Sequence, residues 1–290
     1  MHPRTRQAWL ALPLILAIAA AIAWAGSTGP PVALGLPLFA LCGLGSFVLN
    51  WLVFVHAYAN QTERFYDATG SLTYLTLVVV ALALGPQDPR ALLIGGCVML
   101  WALRLGTFLF RRISEDGGDG RFDALKPDFA RFLMAWTLQG LWVFLTLACG
   151  LVAMTTSAPV PLGLPAFVGA AIWVAGWSIE VVADQQKRAF RHDPANDGRF
   201  ITTGLWSWSQ HPNYFGEILL WTGIAVIALP TLRGAQLATL ISPVFVFVLL
   251  TRISGIPLLR ARAKERWGDD PEFLAYRART SLLVPRPPRA

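Results

Sequence analysis

The chain has 290 residues, 55% of them hydrophobic and only 14% charged, with a mean hydropathy of +0.52. A water-soluble domain of this length carries about 25% charged residues, so the shortfall excludes an ordinary soluble globule and points to an integral membrane protein. The net charge of +7 raises nucleic-acid binding as a function class, and the placement of the cations along the chain removes that need.

Apolar runs near the roughly 20 residues that a helix needs to cross a bilayer occur at 8–25, 33–57, 71–84, 91–110, 131–154, 164–186, 214–229 and 236–254. Only helices and closed barrels satisfy their backbone in lipid, and these runs are continuous rather than alternating. The expected fold is therefore all-α, a polytopic transmembrane bundle of about 7–8 helices. The third and seventh runs are short, and fit tilted, re-entrant or extended helices. In the first run, Arg4 and Arg6 precede an apolar stretch closing on Ala23-Trp24-Ala25, which has the form of a signal-peptide cleavage site. It is long for a signal core, so residues 1–25 are expected to be a retained anchor helix. No repeat or linker interrupts the chain, and residues 1–290 read as one membrane domain with a cytoplasmic amphipathic tail over 255–290.

With the N-terminus inside, all 24 Lys and Arg except Arg90, Arg104 and Arg233 fall in segments on the cytoplasmic side. That asymmetry follows the positive-inside rule and puts both termini in the cytoplasm. The long polar segments 111–130, 187–213 and 255–290 share that side, as suits a site opening to the cytoplasm for a soluble cofactor. A transporter concentrates its polar groups near the midplane instead. Cys42, Cys97 and Cys149 all lie in apolar runs without metal-ligand spacing and read as small packing residues.

Asp67, Ser71 and Tyr74 follow one another at four and three residues at the start of the third run. Asp67 or Tyr74 in that setting can polarise a substrate carbonyl as a hydrogen-bond donor, or Asp67 can be a helix-start carboxylate favoured by the dipole. Arg104 is a charge inside a span and requires an interior partner, with Asp67 and Glu180 as candidates. Glu180, Asp184, Lys187 and Arg191 share one helical stripe. It is either a ladder of ion pairs leaving the bilayer or a site where Lys187 and Arg191 meet cofactor phosphates.

Next comes Gly204-Leu205-Trp206-Ser207-Trp208-Ser209-Gln210-His211-Pro212-Asn213-Tyr214-Phe215-Gly216-Glu217, with Pro212 suited to a helix's first turn. Asn213 and Glu217 fall at i, i+4, with Tyr214 beside Glu217. They either hold a ribose or nicotinamide amide or bond to neighbouring helices, and His211 reads as a structural hydrogen-bonder before a proton donor. The tail from Leu258 to Arg289 mixes basic and apolar residues around Trp267, Phe273 and Tyr276. It is either a helix lying on the membrane surface or a closure in which Arg260, Arg262, Arg266 and Tyr276 cover a phosphate-rich cofactor.

Glu180-x-x-x-Asp184-Gln185-Gln186-Lys187, Arg199-Phe200, Gly204-Leu205-Trp206, Ser209 to Glu217, Ser254-Gly255-Ile256-Pro257 and Asp119-Gly120-Arg121-Phe122 resemble the bacterial DUF1295 proteins of the steroid 5-alpha-reductase-like group. The likeness runs from about residue 60 to the C-terminus. It implies a bacterial inner-membrane protein in a superfamily of NADPH-dependent sterol reductases and isoprenylcysteine carboxyl methyltransferases, with the cofactor bound from the cytosol. By that resemblance Lys187, Arg191, Asn213, Tyr214, Glu217 and Tyr276 contact cofactor, with Arg104 in the same set. The group's Gln–Glu pair is loosely matched by Gln61-Thr62-Glu63, which adds Glu63 to Asp67 and Tyr74 as candidate catalytic groups. Trp101 stands near where the group has a Tyr, a departure that speaks against steroid specificity.

The expected activity is NADPH-dependent reduction of an activated C=C bond in a lipid or steroid-like substrate. The alternatives are an S-adenosylmethionine-dependent methyltransferase, compatible with His211-Pro212-x-Tyr214-x-Gly216, and a lipid-binding protein without enzymatic activity.

Overall fold

The computed structural model describes residues 3–28, 31–116 and 118–288, the side chains at 112 and 114–116 excepted. Arg289, the last cation of the tail, lies outside the described residues. The chain packs as two compact units, one of Met1–Ala166 with Ile227–Ser242 and one of Phe167–Val226 with Pro243–Ala290.

The first unit contains α1 (Pro3–Gly26), a two-residue-turn hairpin of β1 (Val32–Ala33) and β2 (Leu36–Pro37), then α2 (Leu38–Ala59), α3 (Tyr66–Leu84), α4 (Pro89–Asp116) and α5 (Phe129–Thr155). The sequence explains α5 as the central helix. It is apolar all round, and 89% of its spanning window is buried, as expected of a helix surrounded by others. Asp128 caps its start, accepting from the Arg131 N–H at 3.2 Å and from the Thr5 hydroxyl. The outer helices instead leave Leu10, Leu14, Leu52, Val55, Leu92 and Leu103 exposed, which suits a lipid-facing surface and would be a liability in water.

Some hydroxyls inside this bundle are satisfied within their own helix. Thr69 and Thr73 donate to the carbonyls of Phe65 and Thr69, four residues back, at 2.7 Å each. Such folding back satisfies the hydroxyls in an apolar setting, and α3 begins at Tyr66, five residues before the apolar run suggests, so the helix reaches 19 residues, about 28 Å. Between helices, Gln139 Nε2 donates to Asn50 Oδ1 at 2.9 Å and to the Tyr66 carbonyl at 2.8 Å, and Asn50 Nδ2 donates to the Ser46 carbonyl at 2.7 Å. This clamp ties α2, α3 and α5 together. Arg90, expected in a loop outside the membrane, is only 1% exposed. Its guanidinium donates to the carbonyls of Pro161, at 2.8 Å, and of Ile227.

The second unit is built on α6 (Leu164–His192) and α7 (Pro212–Ala228), each with a few terminal residues in the first unit, and on the chain's last stretch. α6 runs six residues beyond its apolar part, so Glu180, Asp184, Lys187 and Arg191 do lie on one continuous helix. The final run is not the single helix expected over 236–254. Its parts are a 3-10 segment Gly234–Leu240, α8 (Ile241–Val248) and a π turn Leu249–Ile253, the 3-10 segment and the first two residues of α8 belonging to the first unit. Next come α9 (Ile256–Trp267) and α10 (Pro271–Arg279). Gly255 breaks the run, because a Cβ there would meet the Leu250 carbonyl oxygen at 2.3 Å.

Eight helical segments among the described residues are long and apolar enough to cross a membrane. The protein is an all-α integral membrane protein.

Candidate functional site

In the second unit, α6 and α7 touch backbone to backbone. A Cβ on Gly216 would stand 2.6 Å from the Gly176 carbonyl oxygen and 2.7 Å from the Glu180 nitrogen, so only glycine permits the approach. The contact aligns Asn213, at the mouth of α7, with the buried Asp184 on α6, and Asn213 Nδ2 donates to Asp184 Oδ1 at 3.2 Å. The carboxamide oxygen of Asn213 is thereby oriented by a carboxylate that is itself fixed.

The connection between the helices is fastened on both sides. Gly204 has φ of +60°, and the Gln186 side chain fills the place of its missing Cβ, accepting from the Leu205 N–H at 2.9 Å. That bond lays Trp206 on α6, where its indole donates to the Ala183 carbonyl at 3.0 Å and its ring carries Lys187 Nζ 4.5 Å from the centroid.

Toward the tail, Gln210 N–H donates to the Ser281 carbonyl at 2.8 Å, the Ser209 hydroxyl to the Leu283 carbonyl at 2.7 Å, and Arg286 N–H to the Trp208 carbonyl at 3.0 Å. The Ser209 hydroxyl oxygen also accepts from the His211 N–H at 3.1 Å. Phe200, Trp267, Phe273 and Tyr276 pack as an aromatic cluster beside this clasp.

His211 stands at the centre, 9% exposed, its ring stacked on Tyr214 at 5.6 Å between centroids. Burial pushes its pKa down, and the charges of Lys187 and Arg260 push it further, to about 3 against an ordinary 6.5. The imidazole is therefore neutral at physiological pH, in a region that already holds two cations. An anion entering here gains from both charges and can accept a hydrogen bond from the ring.

The structure thus brings Lys187, Asn213 and Tyr214 together with Trp206, His211, Asp184 and Arg260. Arg191 is exposed one turn beyond Lys187, and Glu217 half-buried one turn after Asn213. Tyr276 is 5% exposed, and its hydroxyl donates to the Trp206 carbonyl at 2.7 Å. This bond ties the tail to the α6–α7 connection. The tail is accordingly more than a helix resting on a surface, because its inner residues form part of the unit's packing. Trp206 meets Lys187 and Ala183 across 19 and 23 residues, contacts for which the stripe on α6 carries no signal, whereas Arg260 is one of the tail cations expected near a cofactor.

The remaining candidates belong to the first unit. Glu63, in the loop before α3, accepts from the Asp119 N–H at 2.9 Å and from Lys126 Nζ at 2.8 Å. Burial acts to raise its pKa, but these donors outweigh it and hold the carboxyl below its ordinary value. An ionised, doubly bonded carboxylate suits anchoring of the 118–127 loop better than giving up a proton. Asp67 lies in the first turn of α3, within electrostatic reach of Arg121. Tyr74 stands two turns deeper, 1% exposed, edge-on to Trp101 at 5.0 Å and to Trp142 at 6.4 Å. Arg104 is half-buried, its guanidinium 5.4 Å from the Phe108 ring one turn on. Arg121 had appeared in the sequence only as part of Asp119-Gly120-Arg121-Phe122.

Neither a curated protein nor a solved structure matches the chain. Residues 53–280, however, match the family described as "Protein of unknown function (DUF1295)", a span that takes in the Glu63 loop, the α6–α7 site and the tail through α10. The chain belongs to the DUF1295 family.

Proposed function

We propose that the second unit binds NADPH and that the protein is a membrane reductase of an activated C=C bond in a lipid or steroid-like substrate. The observation that carries this reading is the cluster on α6 and α7, with Lys187 over the Trp206 ring, Asn213 held by Asp184, and buried His211 within electrostatic reach of Lys187 and Arg260. Two cations suit phosphate oxygens. The Asn213 carboxamide, held by Asp184, suits a ribose or nicotinamide amide, and the faces of Trp206 and Tyr214 suit a planar ring. The donor set therefore fits a dinucleotide. When bound, NADPH would supply a hydride. The chain's own part there is to neutralise phosphate charge through Lys187 and Arg260 and to orient polar edges through Asn213.

In the first unit, Asp67 and Tyr74 are the groups proposed to serve the substrate. Asp67 can hold a proton or polarise a carbonyl, and Tyr74 adds an O–H in an aromatic setting. Glu63 is proposed to support the loop that carries Arg121.

Titration of the purified protein with NADPH tests the cofactor assignment. Asn213→Ala and Glu217→Ala should each weaken binding, and Lys187→Met should weaken it roughly tenfold or more, as loss of a charge-assisted phosphate bond implies. Undiminished affinity in all three would sink the site. His211-Pro212-x-Tyr214-x-Gly216 also fits a methyltransferase, so stabilisation by S-adenosylmethionine and not by NADPH would replace the reductase reading. Asp67→Asn should lower turnover with NADPH affinity unchanged.

A further inference from the structure

α9 has two faces with different surroundings. Ile256, 2% exposed, and Trp267, packed on Phe200 at 5.7 Å, define the inner one, and Arg260, exposed but within electrostatic reach of His211, stands on the same side. Leu258, Arg262 and Arg266 follow one another at four-residue spacing on the other side, and all three are exposed. Arg262 and Arg266 therefore do not share Arg260's side of the helix, and of the two readings of the tail this favours the surface-lying one for this stripe.

We propose that this outer stripe, with Arg252 and Ile253 just before it, is a seat for the headgroups of anionic phospholipids. Three exposed cations, Arg252, Arg262 and Arg266, belong to it, and Glu265 is the one carboxylate within α9 beside them. They begin where the last apolar span ends, at the π turn Leu249–Ile253. A basic segment directly following a membrane span lies in the negative potential of an anionic leaflet. Ile253 and Leu258 are 59% and 45% exposed beside these cations. Such neighbouring apolar groups suit the headgroup–acyl boundary, whereas a free phosphate would make no use of them.

The stripe is also held still. Gly255 turns tightly against Leu250 at one end, and at the other Trp267 Nε1 donates to the Gly198 carbonyl at 2.6 Å. Guanidinium groups on a fixed helix lose less freedom on meeting a phosphodiester than those on a mobile tail.

The test is native mass spectrometry of the full-length protein released from nanodiscs of equimolar phosphatidylglycerol and phosphatidylcholine. The wild type should retain phosphatidylglycerol preferentially. The Arg262→Ser/Arg266→Ser double variant should lose that preference by about 25-fold, at about fivefold per cation, and Glu265→Gln should strengthen it. Both changes are on exposed side chains and neither residue belongs to the proposed cofactor set, so NADPH should still raise the double variant's melting temperature. Three results would overturn the proposal. They are equal retention of the two lipids by the wild type, an undiminished preference in the double variant, and competition of the bound lipid by inorganic phosphate.

Discussion

Replacing Gly204 by Ala perturbs the candidate site at one well-defined point. The backbone there has φ of +60°, and the new methyl would stand 2.5 Å from the Gln186 amide. The left-handed conformation costs a non-glycine residue about 1–2 kcal/mol. The Gln186 side chain must also withdraw, giving up its 2.9 Å bond to the Leu205 N–H, a loss of about 1 kcal/mol. The total is about 2–3 kcal/mol. Unfolding of the purified protein by SDS in mixed micelles, followed by tryptophan fluorescence, measures it. Gln186→Ala separates the two parts, because it removes the bond and the overlap together. Gly204→Ala made in the Gln186→Ala background should then cost only the backbone part, about 1–2 kcal/mol, leaving a coupling near 1 kcal/mol. Equal costs in the two backgrounds, or a cost below about 0.5 kcal/mol in the wild type, would refute the reasoning that Gly204 and Gln186 act as one device.

Four further outcomes follow from the same contacts. Tyr276→Phe should destabilise by about 1 kcal/mol and speed amide exchange over 280–286 while leaving NADPH affinity unchanged; a change in affinity without a change in exchange would restore the phenol as a cofactor contact. His211 takes no proton in the folded protein until about pH 3 but takes one at its ordinary 6.5 when unfolded, so stability should fall as pH drops below about 6.5, by up to about 1.4 kcal/mol per unit, and His211→Gln should flatten that part of the profile. Glu63→Gln should cost about 1.5–3 kcal/mol and open Arg121 and Lys126 to trypsin; in the wild type the carboxylate's contribution is present above pH 4.5 and lost as pH falls through its lowered value. Gln139→Leu strands the Asn50 Oδ1 and Tyr66 carbonyl acceptors and should cost about 1–2 kcal/mol, since bonds between membrane helices average about 0.6 kcal/mol each; an unchanged unfolding curve would mean the clamp holds nothing.

The helices were legible because lipid imposes one demand on all of them, a long apolar run with internally bonded backbone. The stripe Glu180–Arg191 was legible for a similar reason, since a spacing of 3.6 is local information. Helix ends were less so. Tyr66 to Gly70 look polar in sequence, and the return of the Thr69 hydroxyl to the Phe65 carbonyl shows how that polarity is accommodated within the helix. Pairings across the chain were least legible. Asn213 was singled out for its neighbour Glu217 four residues on, but the partner that orients it is Asp184, 29 residues back. Tyr276 donates to the Trp206 carbonyl 70 residues back, a pairing that no local spacing announces. Asn50 and Gln139 lie 89 residues apart, and each alone is just a polar residue in an apolar run.

The neutrality of His211 bears on what the α6–α7 site does. A general acid at neutral pH needs a pKa near the working pH, and a histidine buried between Lys187 and Arg260 is driven the other way. Those same charges make the surroundings favourable for an anion, and an anion bound there would restore the histidine's affinity for a proton. Binding of a phosphate-bearing ligand should therefore take up protons below about pH 6.5, and its affinity should rise as the pH falls through that range. Calorimetric titrations in buffers of different ionisation enthalpy would measure the uptake, and Lys187→Met should reduce it by moving the free protein's histidine back toward its ordinary value. A proton count of zero at every pH, with ligand bound, would place the anion away from His211. The site would then have to be sought further along α6, toward Arg191.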